Sequence, residues 1–391
     1  MSQMQLIERF GRRVRLGLVG GGLDSVIGHT HLLALRADGL AEVAAGALSI
    51  DPLTAQASAR ALLLPPDRSY PSWQEMLEGE RNRPDRIDAA VVITPPQFHA
   101  EIAEAFLSAG IHVLCEKPMA ASAGEAERLA VSVAGSRQLF ALTHCYTGYP
   151  MVREARELVR SGALGEVRLV EGQFAAGDTG VLREPADPAA RHWRFRQSTM
   201  GKASVLGEVG SHAHNIVEYV TGQRVTEVSS AQLSTIAARR EVYDNAYLTV
   251  RFSGGAVGRL WSSFVAAGNE HGLEFRIYGD EGSVHWRQED PEYLWLLRSG
   301  EPAQRIARGT DGTGDASRAA TRVRPGHPEG YLMAFATIYR DFCHAVIRTG
   351  LGEDASGEMA LLPTAEDGLS TMRLIAAAVA AHDSGMATKV V

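Results

Sequence analysis

The run Val14 to Val19 followed by Gly20-Gly21-Gly22 constrains this chain more than any other stretch. The apolar run reads as a short strand. The three glycines turn the chain, and a helical pattern containing Ile27, Leu32, Leu33 and Leu35 follows. Strand, glycine turn and helix in that order make a cradle for a phosphate. Glycine lets the backbone turn tightly and approach the ligand, and a helix N-terminus offers free N–H groups and the positive end of its dipole. Gly20 and Gly22 supply the first two glycines of G-x-G-x-x-G. The third candidate, Gly28, comes three residues later than that pattern requires.

A glycine triplet by itself also fits an ordinary surface turn. Its context favours the cradle. A second apolar run, Glu42 to Ile50, ends at Asp51, 23 residues beyond Gly28. A dinucleotide fold places a carboxylate near there for the adenosine ribose hydroxyls. Asp51 also precedes Pro52 and suits a helix cap, and the two roles are compatible. A carboxylate at this point repels a 2′-phosphate, so NAD is the expected cofactor and NADP the less favoured one.

At 391 residues the chain is too long for one core of ordinary size, so two domains are expected, 1–148 and 149–391, with the last helices able to pack back on the first. The composition, 45% apolar and 22% charged, is that of a soluble globular protein. The net charge of −7 gives no footprint for nucleic acid, and no basic cluster suggests a membrane surface. Cys115, Cys145 and Cys343 are scattered without a C-x-x-C pair, which argues against disulfides or a structural metal and suits a reducing cytoplasm. No apolar run approaches the ~20 residues of a membrane span. Arg12-Arg13 is followed by the glycine-loop strand rather than by an export signal's apolar stretch, so a cytoplasmic location is expected.

Residues 1–13 read as a polar lead-in. From Val14 to about 145 strands and helices alternate: helix Pro52–Leu63 ended by Pro65-Pro66, a short strand Arg68–Tyr70, helix Trp73–Glu80, strand Ile87–Thr94, helix Pro96–Ala109, strand Ile111–Glu116, helix Ser122–Ala134 and strand Gln138–Thr143. Such alternation implies a doubly wound parallel sheet with right-handed crossovers, its ligands beyond the carboxyl ends of the strands. Those ends carry Gly20–Gly22, Asp51, Thr94-Pro95-Pro96, Glu116-Lys117-Pro118 and His144-Cys145-Tyr146. After about residue 150 the texture becomes β-rich. Runs at Val167–Phe174, Val225–Ser234, Ala246–Phe252, Ala256–Val265, Leu273–Tyr278 and Ser283–Arg287 carry hairpin signals at Ser253-Gly254-Gly255 and Asp280-Glu281-Gly282. They imply a mainly antiparallel sheet, accompanied by helices at Met151–Arg160, Ser211–Val220, Tyr331–Thr349 and Thr364–His382. Residues 307–325 read as a loop.

Three groups carry chemistry. Lys117, ending a strand at the ligand edge, can donate to a substrate oxygen and lower a hydroxyl's pKa, although lysines in loops are commonly only solvated. Glu208 and His212 are four apart, which on a helix puts both on one face. A histidine near a helix N-terminus resists protonation and can act as a base, with the carboxylate fixing its tautomer; a simple capped helix start reads equally from the same residues. His214 faces elsewhere and reads as structural. Trp193, Arg194 and Lys202 suit a sugar face and an anionic group, or an exposed loop. His327 reaches a substrate or opens a helix. Asp85 and Asp88 read as solvated surface.

The chain resembles the glucose–fructose oxidoreductase / inositol 2-dehydrogenase family (Gfo/Idh/MocA) over nearly its whole length. The resemblance rests on Gly20-Gly21-Gly22, Thr94-Pro95 with His99, Ala109-Gly110-Ile111-His112-Val113, Glu116-Lys117-Pro118 and the acid-x-Gly-x-His run Glu208–His212. It implies an α/β plus α+β fold: an N-terminal Rossmann domain, then an open, mainly antiparallel sheet that commonly mediates oligomerisation, giving a homodimer or homotetramer. It implies Lys117, Glu208 and His212 as the catalytic group, often with a cis bond before Pro118. His212 would take the proton of the substrate hydroxyl, Lys117 would hold that oxygen, and hydride would pass to the nicotinamide. The cofactor-binding set is then Gly20, Gly22, Leu23, Ile27, Asp51, Thr94, Pro95, His99, Glu116 and Lys117. The substrate set is Tyr146, Trp193, Arg194, Lys202 and His327.

The chain departs from the family pattern in three places: Glu208 replaces the usual aspartate, Pro96 replaces the usual asparagine, and the glycine loop is longer. The expected activity is NAD-dependent oxidation of a sugar, cyclitol or sugar acid. A second reading is an NAD-dependent glycoside hydrolase that oxidises, eliminates, hydrates and re-reduces; Arg194, Arg196 and Lys202 suit an anionic glycoside such as a sulfoquinovoside or uronide. A third is a cofactor-bound sensor without turnover, against which Lys117 and His212 together argue.

Overall fold

A helix precedes the glycine loop where the sequence suggested only a polar lead-in. In this computed structural model, which describes residues 3–177, 184–187, 190, 192 and 195–391, helix α1 (Gln3–Phe10) buries Leu6. The polar residues between Leu6 and Phe10 hide a one-sided apolar pattern from a composition-based reading.

The chain then runs β1 (Val14–Gly20), α2 (Gly28–Arg36), β2 (Ala41–Ala47), α3 (Pro52–Ala61), α4 (Trp73–Arg81), β3 (Ala89–Ile93), α5 (His99–Ser108), β4 (His112–Cys115), α6 (Ala123–Ala134) and β5 (Phe140–Leu142). The five strands are parallel in the order β2-β1-β3-β4-β5, the doubly wound arrangement expected. All of β3 is buried, as a central parallel strand covered on both faces requires. Arg68–Tyr70 is no strand. A single 3-10 turn, Pro66–Arg68, with one bridge from Ser69 to Gly46 takes its place, since two prolines remove the donors a strand needs. Asp88 is not solvated surface either: it accepts a bidentate pair from Arg12 at 2.6 and 2.8 Å and the Arg15 N–H at 2.8 Å. Asp85 pairs with Arg83 at 2.9 Å.

Next come α7 (Pro150–Arg160), β6 (Val167–Ala175), the short α8 (Gln197–Met200), α9 (Ser211–Thr221), β7 (Val225–Ser234), β8 (Asn245–Phe252), β9 (Val257–Ser263), β10 (Leu273–Gly279), β11 (Gly282–Arg287), β12 (Tyr293–Arg298), β13 (Gln304–Ala307), α10 (Asp315–Ala320), α11 (Gly330–Gly350), α12 (Ser356–Met359), α13 (Ala365–Ser384) and β14 (Thr388–Lys389). The nine strands β6 to β14 form one sheet, ordered β13-β12-β11-β10-β6-β9-β8-β7-β14. Only the β6–β9 pair is parallel. Both hairpin signals join antiparallel neighbours, β8 to β9 and β10 to β11. Strands β12 and β13 and helix α10 were not legible in the sequence.

The described residues fall into two compact units, 1–145 with 331–368 and 146–330 with 369–391. The first therefore holds the parallel sheet together with almost all of α11. The second holds the nine-stranded sheet, with α7 and α9 packed on it. The first unit ends at Cys145, where the sequence division stood at 148, and it takes in almost all of α11 and the residues up to 368. Strand β8 alternates buried and exposed residues, the mark of a sheet with one covered and one open face. On the open face Tyr247 and Trp261 stack with centroids 5.7 Å apart. Among the described residues no helix is long and apolar enough to cross a membrane.

Candidate active site

The parallel sheet reverses its winding between β1 and β3, the point where such sheets bind ligands. Gly20 ends β1 there with φ +79°, and a Cβ on it would lie 2.6 Å from the Ile93 carbonyl, so only glycine fits. Gly28 opens α2, where a Cβ would lie 2.4 Å from the Gly21 carbonyl. The late glycine thus still provides the close approach of helix to turn. The extra residues are stitched in place: Leu23 N–H donates to Ser58 Oγ at 2.9 Å, and Gly28 N–H donates to Ser25 Oγ at 3.1 Å. Leu23 is exposed, and Ile27 sits at the N-cap of α2.

Asp51 is exposed and caps α3, accepting from Thr54 N–H at 2.8 Å and Thr54 Oγ1 at 2.6 Å. The bonds from Thr54 hold its carboxyl below the usual range. Strand β2 stops at Ala47, three residues before the end of the apolar run Glu42 to Ile50. A second carboxylate was missed: Asp24, in the inserted part of the glycine loop, accepts from Ser49 Oγ at 2.8 Å just after β2.

Strand β3 lies beside β1 and β4 beside β3, which brings Thr94 and Glu116-Lys117 to the same edge. The Thr94 hydroxyl is buried without a hydrogen-bond partner among the described residues, and Pro95 is exposed. An unpaired buried hydroxyl beside a glycine cradle suits a ligand that supplies its partner. The Lys117–Pro118 bond is cis. His99 is wholly buried, with Nδ1 2.9 Å from the Pro118 carbonyl and Nε2 2.7 Å from the Thr94 carbonyl. Burial lowers its pKa against these two carbonyls, each of which can only accept from a ring N–H. His99 braces the edge, with no ring nitrogen directed at a cofactor.

Glu116 is buried and meets His31 Nε2 at 3.0 Å; it also accepts from Thr143 Oγ1 and, at 3.2 Å, from Lys117 N–H. Burial alone would raise its pKa. The His31 bond and the charges of His31 and Lys117 outweigh that and hold it at about 2. Lys117 itself is half-buried.

In the second unit Glu208 and His212 are both buried, 8% and 7% exposed. The helix around them differs from the expectation. Residues 204–205 are helical, a π-helical turn Leu206–Gly210 follows, and α9 continues from Ser211. His212 therefore sits well inside a helical run, so the argument from a helix N-terminus does not apply to it. Nor is Ser211 a cap: its hydroxyl bonds back to the Gly207 carbonyl at 2.7 Å. The π turn widens the spiral between Glu208 and His212. His214 is structural as expected, with Nδ1 3.0 Å from Thr371 Oγ1 and Nε2 2.9 Å from Glu218.

Tyr146 meets His212 edge to face at 4.7 Å, and its hydroxyl lies 3.0 Å from His271 Nε2. Phe174 packs against His271 at 4.3 Å and His212 at 5.9 Å. Sequence reasoning missed His271 and Phe174, which no motif marks. Lys202 is exposed, with its ammonium 5.0 Å from the Tyr243 ring centre. His327 is exposed in a turn whose carbonyl accepts from Arg308 at 2.6 Å. Trp193 and Arg194 lie outside the described residues.

A doubly wound sheet with a glycine cradle at its switch point and a lysine beside it, joined to an antiparallel-sheet unit holding a buried histidine and carboxylate, defines a nucleotide-dependent oxidoreductase. Comparison with known proteins narrows the class. Residues 14–144 match the oxidoreductase family with an NAD-binding Rossmann fold, and residues 152–285 match the GFO/IDH/MocA C-terminal domain. The crystal structure of an inositol dehydrogenase homolog from Azotobacter vinelandii, complexed with NAD+, is similar: 33% identity, TM-score 0.89, 96% of this chain and 97% of that one. The same protein is known with NADH and myo-inositol. The uncharacterized oxidoreductase YfiI of Bacillus subtilis is 29% identical over 95% of each chain. The levoglucosan dehydrogenase of Pseudarthrobacter phenanthrenivorans is 26% identical over 82% of each. The chain belongs to the Gfo/Idh/MocA family of NAD-binding oxidoreductases.

Proposed function

We propose that this chain oxidises a secondary hydroxyl of a sugar, cyclitol or sugar acid by hydride transfer to NAD. The observation that carries the reading is the convergence of Gly20, the unpartnered Thr94 hydroxyl and Lys117 on adjacent strand ends at the switch point. Gly20, Gly22 and the start of α2 would receive the pyrophosphate, with Leu23, Ile27, Thr94 and Pro95 lining the cofactor. Bound NAD supplies the hydride acceptor. Asp24 and Asp51 place negative charge where NADP would carry its extra phosphate, which favours NAD.

In this reading Lys117 donates to the substrate oxygen and favours its alkoxide character, and His212 takes the hydroxyl proton. Glu208 holds the His212 tautomer. Tyr146, Trp193, Arg194, Lys202 and His327 are the candidate substrate contacts. The inositol dehydrogenase homolog complexed with myo-inositol and the relative named levoglucosan dehydrogenase support a polyhydroxylated ring as the substrate class. The open face carrying Tyr247 and Trp261 is the proposed subunit interface of a homodimer or homotetramer, and the scattered thiols favour a cytoplasmic setting.

The Tyr146–His271 pair beside His212 supports a second reading, the NAD-dependent glycoside hydrolase, because elimination and hydration need proton-handling groups beyond one base. One experiment separates the two. Purified protein is incubated with NAD and a panel of inositols, free sugars, sugar acids, levoglucosan and nitrophenyl glycosides, following NADH and aglycone together. The dehydrogenase reading expects stoichiometric NADH from a free polyol and no aglycone release. Aglycone release that requires NAD without net NADH would overturn it in favour of the hydrolase.

A further inference from the structure

A buried chain of polar groups runs through the first unit to the residue before Lys117. Tyr339, on α11, puts its hydroxyl 2.6 Å from Nδ1 of His31 on α2. His31 Nε2 lies 3.0 Å from the Glu116 carboxylate. All three are buried, His31 completely, and Phe335 closes the ring's side with centroids 4.8 Å apart. A carboxylate only accepts, so Nε2 carries a proton. The Tyr339 hydroxyl then either donates to a bare Nδ1 or accepts from a protonated one, so His31 keeps both partners in either charge state. Residues this far from solvent, joined end to end, hold one geometry.

We propose that Tyr339 and His31 are positioning residues for Lys117: they hold the Glu116 carboxylate, which accepts the Lys117 N–H, and so keep that strand end and its lysine in place. This rests on the reading that Lys117 acts on the substrate oxygen. The groups facing Glu116 are Cys115 and Lys117 beside it, His31 from α2, His99 from α5, Thr143 and Cys145 after β5, and Tyr339 from α11. Of these, His31 and Lys117 are the groups whose charge favours the carboxylate, and Thr143 adds a neutral hydrogen bond. Without His31, burial is opposed mainly by Lys117, and the carboxyl titrates at higher pH.

The test is the pH dependence of kcat for polyol oxidation in His31→Phe, His31→Gln, Tyr339→Phe and the double variant His31→Phe/Glu116→Gln, with KM for NAD and thermal unfolding measured on each. His31→Phe is expected to gain an acid limb at or above pH ~5, a rise of several units from the native carboxyl, with KM for NAD changed less than about threefold. In the double variant that limb disappears. His31→Gln, which keeps a donor for Glu116, restores at least half of the wild-type profile, and Tyr339→Phe lowers kcat roughly threefold to tenfold. A folded His31→Phe with the wild-type profile overturns the proposal, and so does an acid limb that persists in the double variant. If His31→Phe does not fold, Tyr339→Phe decides: wild-type kcat and profile in that variant overturns it. Lys117→Ala with full activity would instead remove the reading on which the proposal rests.

Discussion

The rings of Tyr146 and His212 meet edge to face with centroids 4.7 Å apart, while the Tyr146 hydroxyl is held 3.0 Å from His271. Tyr146 thus fixes His212 through its ring and His271 through its oxygen, two tasks that one substitution can separate. Tyr146→Phe keeps the ring contact and removes the hydroxyl. Loss of one hydrogen bond, about 1 kcal/mol, corresponds to roughly a fivefold to tenfold effect. The expected result is that rise in substrate KM, with NADH affinity unchanged. A tenfold loss of NADH affinity instead would mean that the pair serves the cofactor.

The glycine loop gives a second expectation. In Gly28→Ala the new methyl would sit 2.4 Å from the Gly21 carbonyl, a backbone atom that yields only if α2 moves away from the turn. Overpacking of this kind costs about 1–3 kcal/mol. Thermal unfolding is expected to fall accordingly, and NADH binding, followed by fluorescence, to weaken by tenfold or more. Binding equal to wild type would show that the helix start does not hold the pyrophosphate.

Cofactor choice is tested at Asp24 and Asp51. Asp51→Ala also removes the cap of α3, so a stability loss near 1 kcal/mol is expected whatever binds there. The expected functional result is weaker NAD binding and a smaller preference over NADP, larger still in the double Asp24→Ala/Asp51→Ala variant. Unchanged affinities for both cofactors would remove these acids from the site.

Acid stability follows from groups whose pKa values differ between folded and unfolded chains. Burial would raise the Glu218 carboxyl, yet His214 and Arg224 with the Val225 N–H hold it at about 2. The unfolded chain takes up that proton first, so this stabilisation is complete above about pH 4.5 and disappears as pH falls toward 2. His112 is lowered to about 4, chiefly by burial, and its Nδ1 accepts from Leu139 N–H at 2.8 Å. Here too the unfolded chain protonates first, and stability falls as pH drops from 6.5 to 4. Unfolding midpoints measured from pH 7.5 to 3 are expected to flatten in the upper window for His112→Asn and in the lower window for Glu218→Gln. Slopes identical to wild type would contradict both assignments.

The parts of the fold legible in the sequence are those where local pattern and tertiary role coincide. Gly20 must be glycine for its own φ, and a β3 buried on both faces reads as an unbroken apolar run. Helix α1 was missed because polar side chains interrupt its apolar stripe. Strands β12 and β13 were missed although Ser299-Gly300 between them is a turn signal, with Gly300 at φ +79°. The π turn before His212 has no residue signature, so the four-residue spacing from Glu208 suggested an ordinary helical face. The His31–Tyr339 bond spans 308 residues, and no local pattern pairs two residues so far apart. His271 likewise stands alone in a loop and acquires meaning only beside Tyr146 and Phe174.

The most direct measurement of the central claim is kcat for NADH formation from the best polyol of the panel, in wild type, Lys117→Ala and His212→Ala, with NADH binding measured alongside. Removing a general base or the residue that polarises the reacting oxygen costs on the order of 10²–10⁴ in rate. The expected outcome is a loss of that size in both variants with NADH still bound. Turnover at the wild-type rate in either variant would contradict the assignment of Lys117 and His212 to the oxidation.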